Sequence, residues 1–175
     1  MTLSDSFSPG DTESASGGHL AHPMNIAHLK QLEKRLYQVG EKAYCFVGNG
    51  LSNQSFIEGP EGLIVIDTGE SVEEMEAALK AVRKVSKLPV AACFYSHFHY
   101  VSGTQALLDE GNVTDIPIYG HAGIPENIAR FGGEVAPRVS RGLVHQFGLK
   151  LPNEGKDGLV HAGLGRFFRN PMIDG

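Results

Sequence analysis

The sequence lacks several features that would assign it to other classes of protein. It has no tryptophan and only two cysteines, which excludes a small fold held together by several disulfides. No apolar run approaches the ~20 residues of a membrane-spanning helix. The net charge is -5 and the Lys and Arg residues are scattered. Neither nucleic acid nor an anionic membrane is therefore expected as a partner, because both require a concentrated basic surface.

The N-terminus also lacks a basic region followed by an apolar stretch, so a cytoplasmic location is predicted. Residues 1–18 are rich in Ser, Gly, Asp and Thr. Such a segment buries too little apolar surface to offset its ordering entropy, which predicts a disordered tail. Residues 19–175 are predicted to form a single, partial domain.

Strand and helix patterns alternate along most of that domain, which is typical of an α/β layered fold. Ser71 and Glu74 fit a capping box that opens the best-marked helix. From Gly132 onward the chain is interrupted by Gly and Pro, and no regular element is predicted there. The other predicted helices are Ile26–Leu36, Thr104–Asp109 and Ile124–Phe131, and the predicted strands are Ala43–Val47, Ser55–Glu58, Leu63–Ile66, Val90–Tyr95 and Ile116–Tyr119.

The residues that could carry chemistry follow the strand that ends at Tyr95. His97 and His99 leave it two positions apart, and a loop there can turn both imidazoles toward one cation at ~2.0–2.1 Å. Two partly exposed loop histidines without a metal are the competing interpretation. Cys45 and Cys93 lie in predicted strands, where a thiol behaves as a small apolar side chain.

The order of these motifs resembles the metallo-β-lactamase superfamily, whose metal loop reads His-x-His-x-Asp-His after such a strand. Further stretches are similar to its alkyl sulfatase branch: Val47 to Asn53, Ile57-Glu58-Gly59, Asp67 to Ser71, and Gln146-Phe147-Gly148 with Gly163-Leu164-Gly165. The resemblance implies a layered αββα sandwich of which this chain holds mainly the first half. It also implies zinc as the cofactor and hydrolysis of alkyl sulfate esters, in which zinc-bound water attacks the ester.

Two departures from the family pattern are expected to impair this activity. The family's Asp-His pair is missing, because Tyr100 is followed directly by Val101, Ser102 and Gly103. Family members also continue well beyond the equivalent of Gly175, and that part supplies further ligands. The metal ligands predicted here are therefore His97 and His99 alone, whereas catalytic zinc takes three protein ligands and a water. No catalytic residue is assigned.

Other residues remain open candidates. A third metal donor could come from His121, from Asp67 or from a second chain. Asp67 is predicted to orient the metal loop, as groups that support metal ligands do, and its alternative role is simply to form the turn before Thr68 and Gly69. Arg138 and Arg141 either contact a sulfate or are solvated surface residues, so the substrate-binding residues are not defined.

Two functions from different classes follow. The first is a metal-dependent hydrolase resembling alkyl sulfatases, impaired in this chain, with a small sulfate ester as its partner. The second is a non-catalytic, truncated remnant that folds, self-associates and binds zinc weakly or not at all. Half of a two-sheet sandwich would leave an apolar sheet face uncovered, and such faces drive association into homo-oligomers.

Overall fold

A computed structural model describes residues 12–111, 114–152, 154–161 and 163. In this part of the chain, four consecutive strands span residues 35–66, and strands and helices then alternate to residue 130. The strands are β1 Glu13–Ser14, β2 Leu20–Ala21, β3 Arg35–Gln38, β4 Ala43–Val47, β5 Gln54–Glu58, β6 Leu63–Ile66, β7 Val90–Phe94 and β8 Ile118–Tyr119. The α-helices are α1 Pro23–Leu29, α2 Val72–Val82, α3 Thr104–Gly111, α4 Ile124–Arg130 and α5 Ala136–Phe147.

Strands β3 to β8 form a six-stranded sheet in which the neighbours follow chain order. From β3 to β6 they run antiparallel, whereas β6, β7 and β8 are parallel. The parallel strands are joined through α2 and α3, as parallel connections require. The carboxyl ends of β6, β7 and β8 therefore lie at one edge of the sheet.

One face of this sheet packs against α2 and α3 to form the hydrophobic core. Apolar side chains recur along α2 at helical spacing, and they meet alternate residues of the strands. All of the following residues are buried in that core: Phe46, Phe56, Leu63, Val65 and Cys93 from the sheet, Met75, Ala78, Leu79 and Val82 from α2, and Ala106 and Leu107 from α3.

The opposite face of the sheet carries a continuous set of apolar side chains, here called the open face: Ile57, Ile64, Ile66, Phe94 and Tyr119. Directly paired strand residues point to the same side, and the register pairs Ile57 with Ile64 and Phe94 with both Ile66 and Tyr119. Ile57, Phe94 and Tyr119 are 38%, 41% and 54% exposed. On β6 itself, Leu63 and Val65 are buried, and Ile64 and Ile66 on the open face are partly buried.

The helix predicted over Ile26–Leu36 is only partly correct. Helix α1 ends at Leu29, a 3-10 turn continues to Leu32, and Arg35–Gln38 is strand β3. Pairing with β4 overrides the helical spacing of the apolar residues, because the ladder satisfies backbone groups along the whole segment.

The absence of regular structure predicted after Gly132 is also wrong. A π-helical segment spans Phe131–Val135, and α5 follows it to Phe147. Pro137 occupies the first turn of α5, where a missing backbone N–H costs nothing. Gly148 caps its end in the left-handed conformation, with a φ of 62°.

Two other expectations concern the ends of the chain and its cysteines. Of the tail predicted over residues 1–18, residues 1–11 lie outside the described part, and residues 12–18 include β1. Cys45 and Cys93 are both free thiols. None of the helices in the described ranges combines the length and apolar character needed to cross a bilayer.

Candidate metal loop

The metal loop, residues 96–100, leaves the carboxyl end of β7 and is held by residues that follow β6. Asp67 is 6% exposed, and its two carboxylate oxygens accept hydrogen bonds from the Ser96 backbone N–H at 2.8 Å and the Ser96 hydroxyl at 2.5 Å. At the other end of the loop, the Tyr100 carbonyl accepts bonds from the Thr68 N–H at 2.9 Å and the Thr68 hydroxyl at 3.1 Å.

Asp67 itself has an unusual backbone conformation. Its φ of 62° lies in the left-handed region, where it is the single non-glycine residue among those described. Asp and Asn tolerate this region better than other side chains. Asp67 thus leaves β6 in the left-handed conformation while its side chain bonds Ser96 at the start of the loop. Its role in orienting metal ligands stays a prediction.

His97 and His99 lie side by side, with ring centroids 4.7 Å apart and planes inclined at 40°. The Nδ1 atom of His97 accepts the His99 backbone N–H at 3.3 Å. The Nε2 atom of His99 is buried and makes no hydrogen bond within the described chain. Burial, and secondarily the neighbouring His97, lowers the pKa of His99, which favours the neutral form of its ring.

Phe131, in the π-helical segment, packs against His99 and Phe98 of this loop. Its ring meets His99 edge-on at a centroid distance of 4.6 Å and meets Phe98 at 6.1 Å. Sequence reasoning missed Phe131 because nothing local links the end of one helix to a loop 32 residues earlier. Its apolar ring helps to exclude water from His99, which fits the lowered pKa of that imidazole.

His121 follows β8 and lines the same cavity as His97, whose volume is about 180 Å³. His99 and Asp67 do not line it. Arg138 and Arg141 lie on α5 with exposed side chains. In the described ranges, no three His, Cys, Asp or Glu residues are grouped so that they could hold a metal ion.

A pair of carboxylates next to the loop was also missed as a chemical feature. The Glu74 side chain accepts the Glu70 backbone N–H at 2.9 Å, and the Ser71 hydroxyl accepts the Glu74 N–H at 3.2 Å. The predicted capping role of Ser71 is confirmed, while Glu74 bonds Glu70 instead of Ser71. Burial and the neighbouring Glu74 raise the pKa of Glu70 to about 7.

Comparison with known proteins identifies the family to which this chain belongs. The sequence model of the metallo-beta-lactamase superfamily matches residues 47–166. A linear primary-alkylsulfatase from Pseudomonas sp. (strain ATCC 19151) is 37% identical over 62% of this chain and 21% of its own length. An (R)-specific secondary-alkylsulfatase from Pseudomonas sp. is 30% identical over 88% of this chain and 23% of its own length.

The fold agrees with these relatives. The structure of a stereoselective inverting sec-alkylsulfatase from Pseudomonas sp. superposes on 93% of this chain with a TM-score of 0.71 and 25% identity, over 26% of that protein. The chain thus spans about a quarter of the length of the relatives that it matches. It belongs to the metallo-β-lactamase superfamily, and within that superfamily it resembles the first part of the alkyl sulfatases.

Proposed function

We propose that this chain provides the metal-loop layer of a hydrolase resembling alkyl sulfatases, and that alone it hydrolyses alkyl sulfate esters little or not at all. The substrate class comes from the names of its relatives, all of which are several times longer. The single observation that carries the proposal is the loop between Ser96 and Tyr100. Asp67 and Thr68 hold the two ends of this loop by hydrogen bonds. The described residues, however, bring few groups together that could bind a metal ion.

The donor groups can be tested one by one against a zinc ion, the metal implied by the resemblance. His99 fits, because its buried Nε2 makes no hydrogen bond within the described residues and burial favours the neutral ring, the form that binds metals. His97 can bind through Nε2 only when its ring proton moves to Nδ1, which breaks the 3.3 Å bond that Nδ1 accepts from the His99 N–H. Asp67 has both oxygens engaged by Ser96.

The residues present therefore do not make a three-ligand zinc site, and no catalytic step is assigned to a bound metal. The Asp-His pair absent after Tyr100 would have added one carboxylate and one imidazole to this loop. We propose His97 and His99 as the remaining metal ligands and Asp67 as the residue that positions their loop. A cytoplasmic location stays a prediction.

The proposal is tested by restoring the missing residues. Insertion of an Asp-His dipeptide after Tyr100 is expected to tighten zinc binding at least about tenfold, because two added donors outweigh the entropic cost of ordering them. An Ala-Ala insertion at the same point is the matched control. Zinc content is measured by elemental analysis and affinity by competition with a chelator, each also with His97→Ala.

Sulfate release from dodecyl sulfate is followed in parallel with added zinc. The unmodified chain is expected to show no release above the buffer background. Stoichiometric zinc that disappears in His97→Ala, together with zinc-dependent sulfate release from the unmodified chain, would overturn the proposed impairment.

A second candidate function is a non-catalytic, self-associating remnant. The observation that favours it is the open face, where Phe94 and Tyr119 stack at 4.7 Å while both remain largely exposed. Exposed apolar patches of this kind mark association surfaces.

A further inference from the structure

We propose that Glu70 and Glu74 form a proton-dependent clasp that fixes the Tyr100 end of the metal loop. The clasp is closed while the two carboxyls keep one proton between them, and it loosens once both are charged. This goes beyond the proposed function, because it concerns the position of the loop and requires neither zinc nor turnover. Three features support it: the position of the Glu74 carboxylate, its connection to the loop, and the charged groups around the pair.

The Glu74 carboxylate lies between two glycines that leave no room for a side chain. A Cβ atom on Gly50, in the segment after β4, would overlap the carboxylate, and one on Gly69 would stand 2.6 Å from its Oε2. Gly69 has a φ of 81°, in the left-handed region that favours glycine. The Asn49 side-chain amide donates to the Glu74 backbone carbonyl at 2.8 Å, which fixes the start of α2 beside this segment. The carboxylate therefore has a defined position against the backbone that leads to the loop.

This carboxylate is connected to the loop through the backbone of two residues. Its Oε2 accepts the backbone N–H of Glu70 at 2.9 Å. The preceding residue, Gly69, accepts the Ser102 N–H at 3.2 Å and forms the isolated bridge with Val101. Val101 and Ser102 directly follow Tyr100. Release of the Glu70 N–H would therefore loosen the backbone that holds this end of the loop.

Burial determines which of the two carboxyls holds the proton. It raises the pKa of Glu70 to about 7, and the neighbouring Glu74 adds to the rise. Burial also raises the pKa of Glu74, but the N–H of Glu70 and the cation of Lys34 oppose that rise. Below about pH 7, Glu70 is therefore the protonated partner, and Glu74 is the charged one that accepts the N–H. The two carboxylates repel one another once Glu70 ionises.

The surroundings of the pair leave this repulsion in place near neutral pH. Lys34 attracts Glu74, and Glu73 repels it. Burial, followed by Glu70 and Asp67, raises the pKa of Tyr100, so its hydroxyl stays neutral. Lys, Asp and Glu side chains ordinarily do not change charge in this range. Glu70 is therefore the group that can switch the clasp there. The charged and titratable groups near the pair are Lys34 before β3, Glu73 on α2, Asp67 after β6 and Tyr100 in the loop.

The test measures the open loop by NMR relaxation dispersion, which detects minor conformers that exchange in microseconds to milliseconds. The full chain, treated with EDTA, is compared at about pH 6 and about pH 8. The open population is expected to rise about fivefold or more at the higher pH, because ionisation of Glu70 is easier where the pair is separated. The amides of Thr68, Glu70 and Ser102 should report this exchange. The Cys93 amide, which donates to the Pro117 carbonyl at 2.9 Å, should not.

Histidines also titrate in this pH range, so the decisive variants alter the pair itself. Glu70→Gln should hold the open population at its low-pH level throughout. Glu74→Gln should do the same, since it keeps an acceptor oxygen for the Glu70 N–H and removes a charge. Glu76→Gln, on the exposed side of α2, is the matched control and should keep the pH response.

Glu74→Ala removes the acceptor and should raise the open population at both pH values. If it does not fold, as judged by circular dichroism, the two glutamine variants test the same clasp. A pH response that persists in Glu70→Gln would overturn the proposal. So would an unchanged open population in the unmodified chain, or equal dispersion at Cys93, which would indicate unfolding of the whole sheet. Zinc binding and hydrolysis are not measured, so the result is independent of the proposed function.

Discussion

Glu70 and Glu74 illustrate, at the scale of single residues, how burial changes the acidity of a side chain. Burial raises the pKa of both carboxyls, and each is half-buried beside the other at the start of α2. For Glu70 the pKa rises from its ordinary value of 4.5 to about 7. A carboxyl in this position keeps its proton in the folded chain at pH values where the unfolded chain has released it.

The free energy of unfolding should therefore decrease as the pH rises from about 4.5 to about 7, because the folded state binds the extra proton over that window. Glu70→Gln removes the charge and should stabilise the chain above pH 7 by about 1 kcal/mol, a value reduced for the partial exposure of the group. Urea unfolding at several pH values measures this. Glu76→Gln, on the exposed side of α2, is the control, and identical pH profiles for the two variants would contradict the prediction.

At the scale of elements, the start of α3 lies unusually close to the end of β6. A Cβ atom on Gly103 would stand 2.0 Å from the Thr68 carbonyl oxygen and 2.7 Å from the Met75 Cβ. The adjoining Val101 pairs with Gly69 in an isolated bridge. This close approach joins the metal loop to the strand whose end holds it.

Gly103→Ala is therefore expected to destabilise the chain by about 3 kcal/mol, since backbone atoms would have to move apart. Gly142→Ala is a matched substitution whose expected effect on stability has the opposite sign. Gly142 lies inside α5 with nothing within 4 Å of its added Cβ, so alanine should stabilise the chain by about 0.5–1 kcal/mol. Urea unfolding compares the two. An unchanged midpoint for Gly103→Ala would show that the contact with Thr68 is not tight.

Several elements can be predicted from the sequence, because their local patterns of apolar and capping residues agree with the tertiary structure. Strand β4 and strand β6 begin and end where short apolar runs begin and end, and Ser71 marks the start of α2. Helix α5 is harder to predict because Gly and Pro are typical of breaks, although Pro137 lies in the first turn, where it is tolerated.

At the scale of the whole molecule, the dominant feature is a sheet that the described residues cover on one face only. The open face presents Ile57, Phe94 and Tyr119 to solvent in the described chain. An exposed apolar surface of this kind is stabilised by association, because burial removes it from water. The relatives, by comparison, have about three quarters of their length outside the region matched here.

The unmodified chain is accordingly expected to self-associate in a concentration-dependent manner. Phe94→Glu should weaken this association at least about tenfold, since a central aromatic anchor is replaced by a charge. Val85→Glu is the control, because Val85 is 54% exposed but follows α2 on the other side of the sheet. Light scattering coupled to size exclusion measures the mass. A monomer at all concentrations, or equal effects of the two substitutions, would contradict an associating open face.

The sequence alone determined the family, the order of most elements and the identity of the loop with His97 and His99. These depend on local patterns of apolar residues, caps and turns, which a linear chain displays directly. The tertiary structure decided which groups meet: Asp67 with Ser96, Phe131 with His99, and His121 with His97 at one cavity. These pairs are 24 to 32 positions apart along the chain, and only tertiary packing brings them together.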